Sequence, residues 1–190
     1  MGYQSYMSEK WTQPKENFGK EAWKKWLMQL RREPSVLRVE NPTRLDRAHA
    51  LGFKAKSGFV VVRSRVTKGG RKRPAPRHGR KPKRYGRFIE VRKSDNVIAE
   101  ERAAKRYPNC EILNSYWVGE DGKYKWYEVI LADRAQVSKY KDYAWLANPA
   151  TKGRVFRGKT SAGRRSRGLR NTRGARGVQF RPSKSSKGTK

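Results

Sequence analysis

The sequence predicts an α+β fold, a small antiparallel sheet covered by helices, carrying long basic non-globular extensions. Three observations predict it. Aromatic and β-branched runs flank Asp121-Gly122, a pair that marks a tight hairpin. Segments with apolar residues at helical spacing alternate with those runs. Charge is segregated: every acidic residue lies between Glu9 and Asp46 or between Glu90 and Asp142. The acid-free stretches 47–89 and 143–190 hold 15 and 14 Lys plus Arg, which is 29 of the formal net charge of +32.

The elements follow in order. Residues 16–32 place Trp23, Trp26, Leu27 and Leu30 on one stripe between Lys24, Lys25, Arg31 and Arg32, with Asn17 as the expected cap and Pro34 as the stop. That stripe reads as packing surface. A shorter helix near 5–11 precedes it and breaks near Pro14. The segment 44–51 predicts a helical turn or two ended by Gly52. A strand is expected over 59–66, with Arg63 and Arg65 on one face. Residues 67–87 form a long basic loop in which Pro74, Pro76 and Pro82 prevent regular structure. A second strand at 87–92 leads into a helix at 94–106 that offers Val97, Ile98, Ala103 and Ala104 for packing.

The hairpin pairs 111–118 with 123–131. In its second strand Tyr124, Trp126, Glu128 and Ile130 share one face, and Lys125, Tyr127, Val129 and Leu131 the other. A short helix is expected near 139–146. After Pro149 the apolar pattern ends, and seven scattered glycines predict a chain that orders only against a partner. The resulting division is a helical region at 1–58 packing on the core, an α+β core at 59–150 with its basic loop at 67–87, and a basic Gly/Arg/Lys-rich extension at 151–190.

Composition excludes several classes. Hydrophobic residues make up 35% and charged residues 34%, with a mean hydropathy of −1.06, so one core cannot contain the whole chain. Cys110 is the sole cysteine, which rules out an internal disulfide and points to a reducing, cytoplasmic compartment. No run approaches the ~20 apolar residues of a membrane span. His49 and His78 sit in acid-free sequence and Cys110 has no CxxC partner, so neither a metal site nor a cofactor is expected. Glu100 and Glu101 point about 100° apart on a helix and do not converge as an acid–base pair. Pairing with Arg102, Lys105 or Arg106 is their expected role. No enzyme and no small-molecule substrate emerge.

The segregated charge points to a polyanion, because each Lys or Arg contact with phosphate also releases counterions. Glycine permits close backbone approach, and arginine both pairs phosphate and stacks on bases. RNA is favoured over DNA: no helix-turn-helix, zinc-finger or basic-zipper pattern is present, and irregular extensions suit the crevices of folded RNA. The candidate contacts are Arg63, Arg65 and Lys68 on and after the first strand. The loop adds Arg71, Lys72, Arg73, Arg77, Arg80, Lys81, Lys83 and Arg84, and the tail adds Arg164, Arg165, Arg167, Arg170, Arg173 and Arg176. Tyr85, Phe156 and Phe180 are candidates either for base stacking or for filling gaps against the core or a neighbour. A free basic nucleic-acid binder, chromatin-like or an RNA chaperone, is the alternative reading.

Residues 114–121, Asn-Ser-Tyr-Trp-Val-Gly-Glu-Asp, continuing to Leu131, resemble the hairpin of the ribosomal protein fifteen-e family of archaeal and eukaryotic large subunits. Pro42-Thr43-Arg44, residues 51–56, 69–74, 99–103 and 160–169 agree in the same order. The likeness spans roughly residues 1–170. Departures after Pro76 and after Asn171 indicate an archaeal-type member. The resemblance implies a non-enzymatic constituent embedded in large-subunit ribosomal RNA beside other ribosomal proteins, with a small α+β sandwich fold. It also implies that Lys54, Lys56, Arg71–Arg73, Arg164, Arg165 and Arg167 contact RNA.

Overall fold

The computed structural model describes residues 2–72, 78, 88–89 and 93–169; at 71–72 and 88–89 it describes the backbone alone. The chain opens with three helices, α1 (Tyr3–Lys10), α2 (Pro14–Asn17) and α3 (Lys20–Arg32). Pro14 begins α2 rather than only breaking α1, since the first helical position needs no N–H donor. Asn17 does not cap α3. Its side-chain amide donates to the Lys10 carbonyl at 3.0 Å and so closes the end of α1, while Gly19, at φ +84°, turns the chain into α3. The predicted stripe is apolar packing surface. Leu27 and Leu30 are buried, and Trp23 and Trp26 pack against Trp11 with ring centroids 6.0 and 6.4 Å apart.

Four antiparallel strands form the sheet in the order β1-β2-β6-β5, where β1 is Val36–Val39, β2 Phe59–Thr67, β5 Cys110–Glu120 and β6 Tyr124–Asp133. The expected strand at 59–66 is therefore central, paired along its length with β6 from Phe59↔Ala132 to Thr67↔Tyr124. β1, which the sequence pattern does not reveal, is a four-residue edge strand set by pairing with β2. Within the expected strand at 87–92 the described residues are Phe88–Ile89, which form β4 and pair with β3, Arg71–Lys72, in a separate ribbon; the others lie outside the described residues. Most of the loop that the ribbon carries lies outside the described residues.

Asp121 shapes the predicted hairpin. Its carboxylate accepts from the Lys123 and Tyr124 amides and also pairs with Arg31 of α3. Two register shifts, at Ile112/Asn114 and Trp117/Gly119, kink β5. Beside the second, Gly119 lies under α3: a Cβ there would stand 3.3 Å from Leu27 and from Trp26.

Both faces of the sheet are covered. On the first, Trp126, Ile130, Tyr116 and Val118 pack with Leu27 and Leu30 of α3, Phe53, and Tyr143 and Leu146 of a 3₁₀ helix at Lys141–Ala147. Short helices α4 (Leu45–Ala50) and α6 (Arg134–Val137) complete that layer with Ala48 and Val137. On the second, Tyr127, Val129 and Leu131 of β6 meet Ala99 and Ala103 of helix α5 (Asp95–Arg106). The two faces expected for β6 are thus the two faces of the core.

Residues 151–169 depart from their expected lack of structure, while 170–190 lie outside the described residues. Residues 151–169 pack on the second face and include helix α7 (Ser161–Ser166). Val155 is buried, the Gly153 amide donates to Glu111 at 2.7 Å, and Arg154 donates to the Ile112 carbonyl. Apolar periodicity misses this segment because its anchors are polar and backbone groups.

Glu100 is the deepest of these anchors. It lies on α5 with no solvent exposure and accepts from Ser115 Oγ and from Thr160 Oγ1, both at 2.6 Å. Thr160 in turn caps α7 by accepting from the Gly163 amide. The expected pairing of Glu100 with Arg102, Lys105 or Arg106 is replaced by this hydroxyl cluster, while Glu101 pairs with Lys93. Burial pushes the Glu100 carboxyl above its ordinary range, against the two hydroxyl bonds and nearby Arg154 that pull it down.

A raised acid binds its proton more tightly in the folded chain. The Glu100 contribution therefore falls as pH rises from the ordinary glutamate value toward the raised one. Glu100→Gln keeps a donor and an acceptor in place and removes this titration. In urea unfolding at a series of pH values, the stability of wild type relative to Glu100→Gln is expected to decline with rising pH across that window. A pH-independent difference would contradict the assignment.

Candidate nucleic-acid interface

The expected cationic contacts divide sharply once the fold is in place. Arg63 is the clearest correction. It is buried, with 9% relative exposure, opposite Glu128 on the first face of the sheet. Its Nε and Nη2 donate to Glu128 Oε1 at 3.3 and 3.1 Å, Nη1 donates to both oxygens of Glu33 at 3.0 Å, and Nη2 also reaches Thr43 Oγ1. Every guanidinium nitrogen is engaged inside the protein, so Arg63 offers nothing to RNA. Its alternation with Arg65 placed both on one face, but that face is the covered one.

Glu128 completes the cluster. It is fully buried and also accepts from the Thr43 amide at 2.9 Å and from the Tyr116 hydroxyl at 2.6 Å. Burial and the adjacent Glu128 carboxylate raise the Tyr116 phenol, which remains a neutral donor. A buried carboxylate is tolerable only with such a full set of donors.

Arg65 is partly engaged: Nη1 donates to the Arg31 carbonyl, and the guanidinium lies over the Tyr124 ring at 4.7 Å. Lys68 pairs with Glu120 at 3.2 Å. Lys54 pairs with Asp142, which holds its ammonium above the ordinary lysine value, and it lies over Tyr143. Lys56 lies over the Tyr140 ring at 5.2 Å and has no carboxylate partner among the described residues. These exposed pairs contribute little to stability, so a phosphate can displace their carboxylates at small cost.

The α7 arginines are open. Arg164 and Arg165 are exposed with no acidic partner among the described residues, and Arg167 makes a long contact of 3.5 Å to the Arg157 carbonyl. Thr160 and Glu100 fix the helix beneath them, so these charges stand on an ordered platform. For Arg71 and Lys72 the structure describes only backbone. Arg73, Arg77, Arg80, Lys81, Lys83, Arg84, Arg170, Arg173 and Arg176 lie outside the described residues, as do Tyr85 and Phe180. Phe156 is half exposed, at 52%.

Sequence reasoning missed the two acids with no solvent exposure, Glu128 and Glu100, and two arginines. The signal for Glu128 was present: it shares a strand face with Trp126 and Ile130. Glu100 stands three residues from both Val97 and Ala103, on the buried stripe of α5. Arg44 and Arg47 flank and occupy the short helix α4, where no charge run draws attention to them.

Among the described residues, no helix is long and apolar enough to cross a membrane, and no cluster of His, Cys, Asp and Glu is suited to a metal ion. Fold and surface together define a strongly basic, layered α+β protein that keeps its carboxylates largely paired and presents its unpaired arginines outward. A family model described as Ribosomal L15 matches residues 2–187 of the 190. The chain belongs to this L15e family of structural, non-enzymatic large-subunit ribosomal proteins.

Proposed function

We propose that the protein binds and stabilises large-subunit ribosomal RNA, with its α+β core docked on the RNA surface and its basic loop and tail passing between RNA helices. The supporting observation is the placement of charge. Arg164 and Arg165 stand exposed on an anchored helix without carboxylate partners among the described residues, and they begin a tail of further acid-free sequence. Phosphates supply the missing counter-charge, and release of their condensed ions favours the contact. Lys54, Lys56, Arg65, Lys68, Arg71–Arg73 and Arg167 extend this surface, and the cations of the loop at 77–84 and of the tail at 170–176 complete it. Arg63 is no part of it. Neighbouring large-subunit proteins are the further partners, and the ribosome in the cytoplasm is the site of action.

Sedimentation of the tagged chain from cell lysate tests this reading at low salt and at roughly 0.5 M, where the screening length falls well below 10 Å. Stoichiometric retention with the large subunit at both salts is expected. Release into the soluble fractions at high salt would instead identify a loosely held polycation, the alternative raised by composition alone.

A further inference from the structure

β5 is an edge of the sheet, yet its outer rim is neither bare nor covered by another strand. It forms the floor of a groove of about 590 Å³ walled by α4, the start of α5 and the start of α7. That volume falls in the roughly 300–1,000 Å³ range of sites for small organic groups. Arg44, Arg47 and Arg165 line the groove with Asn96, Asn114 and Trp117, and among the described residues no carboxylate lines it.

The three arginines are not equivalent. Arg44 is held in place by Asp46 at 3.3 Å and by the Trp11 ring at 4.9 Å, and its Nε has no acceptor among the described residues. Arg47 and Arg165 are exposed, without acidic partners among the described residues, and reach the groove from helices on opposite faces of the sheet. Between them Trp117 is half buried. It pairs with Tyr127 across the strand, and its indole has no stacking partner among the described residues. Asn96 and Asn114 add amides that can both donate and accept.

Converging guanidinium groups, an indole without a stacking partner and flanking amides match the parts of one nucleotide: a phosphate, a base face and a base edge. A protein strand added to the β5 edge would meet the arginines only where it carried acidic side chains, whereas every nucleotide brings a phosphate. We propose that this groove holds an unpaired nucleotide of the RNA, its phosphate between Arg47 and Arg165 and its base against Trp117. The inference rests on the RNA-binding reading above and adds a specific pocket away from the basic loop. Arg44 and Arg47 become contacts.

The test uses the full chain and purified large-subunit ribosomal RNA carrying 4-thiouridine, photo-crosslinked and digested, with adducts located by mass spectrometry. Adducts on the 114–118 segment are expected. Arg47→Ala/Arg165→Ala should lose them and reduce the slope of log affinity against log salt by about one, for the single phosphate that the two arginines hold. The control Lys105→Ala/Arg106→Ala removes two exposed charges outside the groove and should keep the adducts. Trp117→Leu should lower affinity by about tenfold, the value of one base–aromatic stack, with its circular dichroism checked because the indole also packs on the core.

RNA retained by wild type without adducts at 114–118, and with both double variants alike, overturns the groove and leaves the wider reading standing. Adducts there that persist in Arg47→Ala/Arg165→Ala overturn the phosphate assignment. A crosslink from this segment to a protein in intact particles also overturns the proposal. Absence of any salt-resistant RNA binding by wild type defeats both readings together.

Discussion

Arg63→Met is expected to lower the free energy of unfolding by about 3–5 kcal/mol, the usual cost of removing one member of a buried ion pair. Methionine fills the apolar path of the arginine stem, so the loss is not mainly one of packing. The cost is electrostatic. Glu128, with no exposure, would lose the donors at 3.1 and 3.3 Å together with the only cation hydrogen-bonded to it among the described residues. Glu33 would lose a two-point contact. Substituting Glu128 instead would not spare the site, because Thr43, Tyr116 and Arg63 all present donors to it. Urea unfolding followed by tryptophan fluorescence measures the change, and a loss below about 1 kcal/mol would refute the role given to the cluster. The same variant, once folded, should keep its affinity for large-subunit RNA within about twofold. A large affinity loss in a fully folded variant would return Arg63 to the RNA surface.

Gly163→Val is expected to cost about 1–3 kcal/mol, the range for forcing bulk into a packed site. A Cβ at this position would stand 2.7 Å from Gly158 Cα and 2.8 Å from its carbonyl carbon. Those are backbone atoms and cannot swing aside. Gly158 is itself at φ +61°, and a side chain there would meet Arg167. The two glycines therefore let the turn lie directly on α7. Valine must lift the helix and strain the bond from Thr160 to Glu100. RNA affinity should fall by about tenfold, or 1.4 kcal/mol, although net charge is unchanged, because Arg164 and Arg165 lose their platform. Thermal unfolding and filter binding measure the two effects. Unaltered affinity in a destabilised variant would show that the placement of α7 is irrelevant to binding.

Much of the architecture was legible in the chain because local rules governed it. The Asp121 turn, the two apolar faces of β6, the stripe of α3 and the stop at Gly52 each depend on residues within a few positions of one another. β1 was not legible: four residues, Val36–Val39, become a strand only where β2 offers its edge. The order in residues 151–169 was hidden for a related reason. Its anchors are Glu111, Ile112 and Glu100, at sequence distances of 42 to 60 residues, and no local period records such bonds.

The candidate interface divides in the same way. Sequence alone determined that nearly all net charge lies in two acid-free stretches, because charge composition survives any folding. Only the tertiary structure decided which cations remain available. Pairing across the sheet turned Arg63 inward onto Glu128, and packing of α7 on α5 left Arg165 outward, across the β5 edge from Arg47. Whether a charge is spent within the fold or left for a partner depends on distance in space, which residue order does not record.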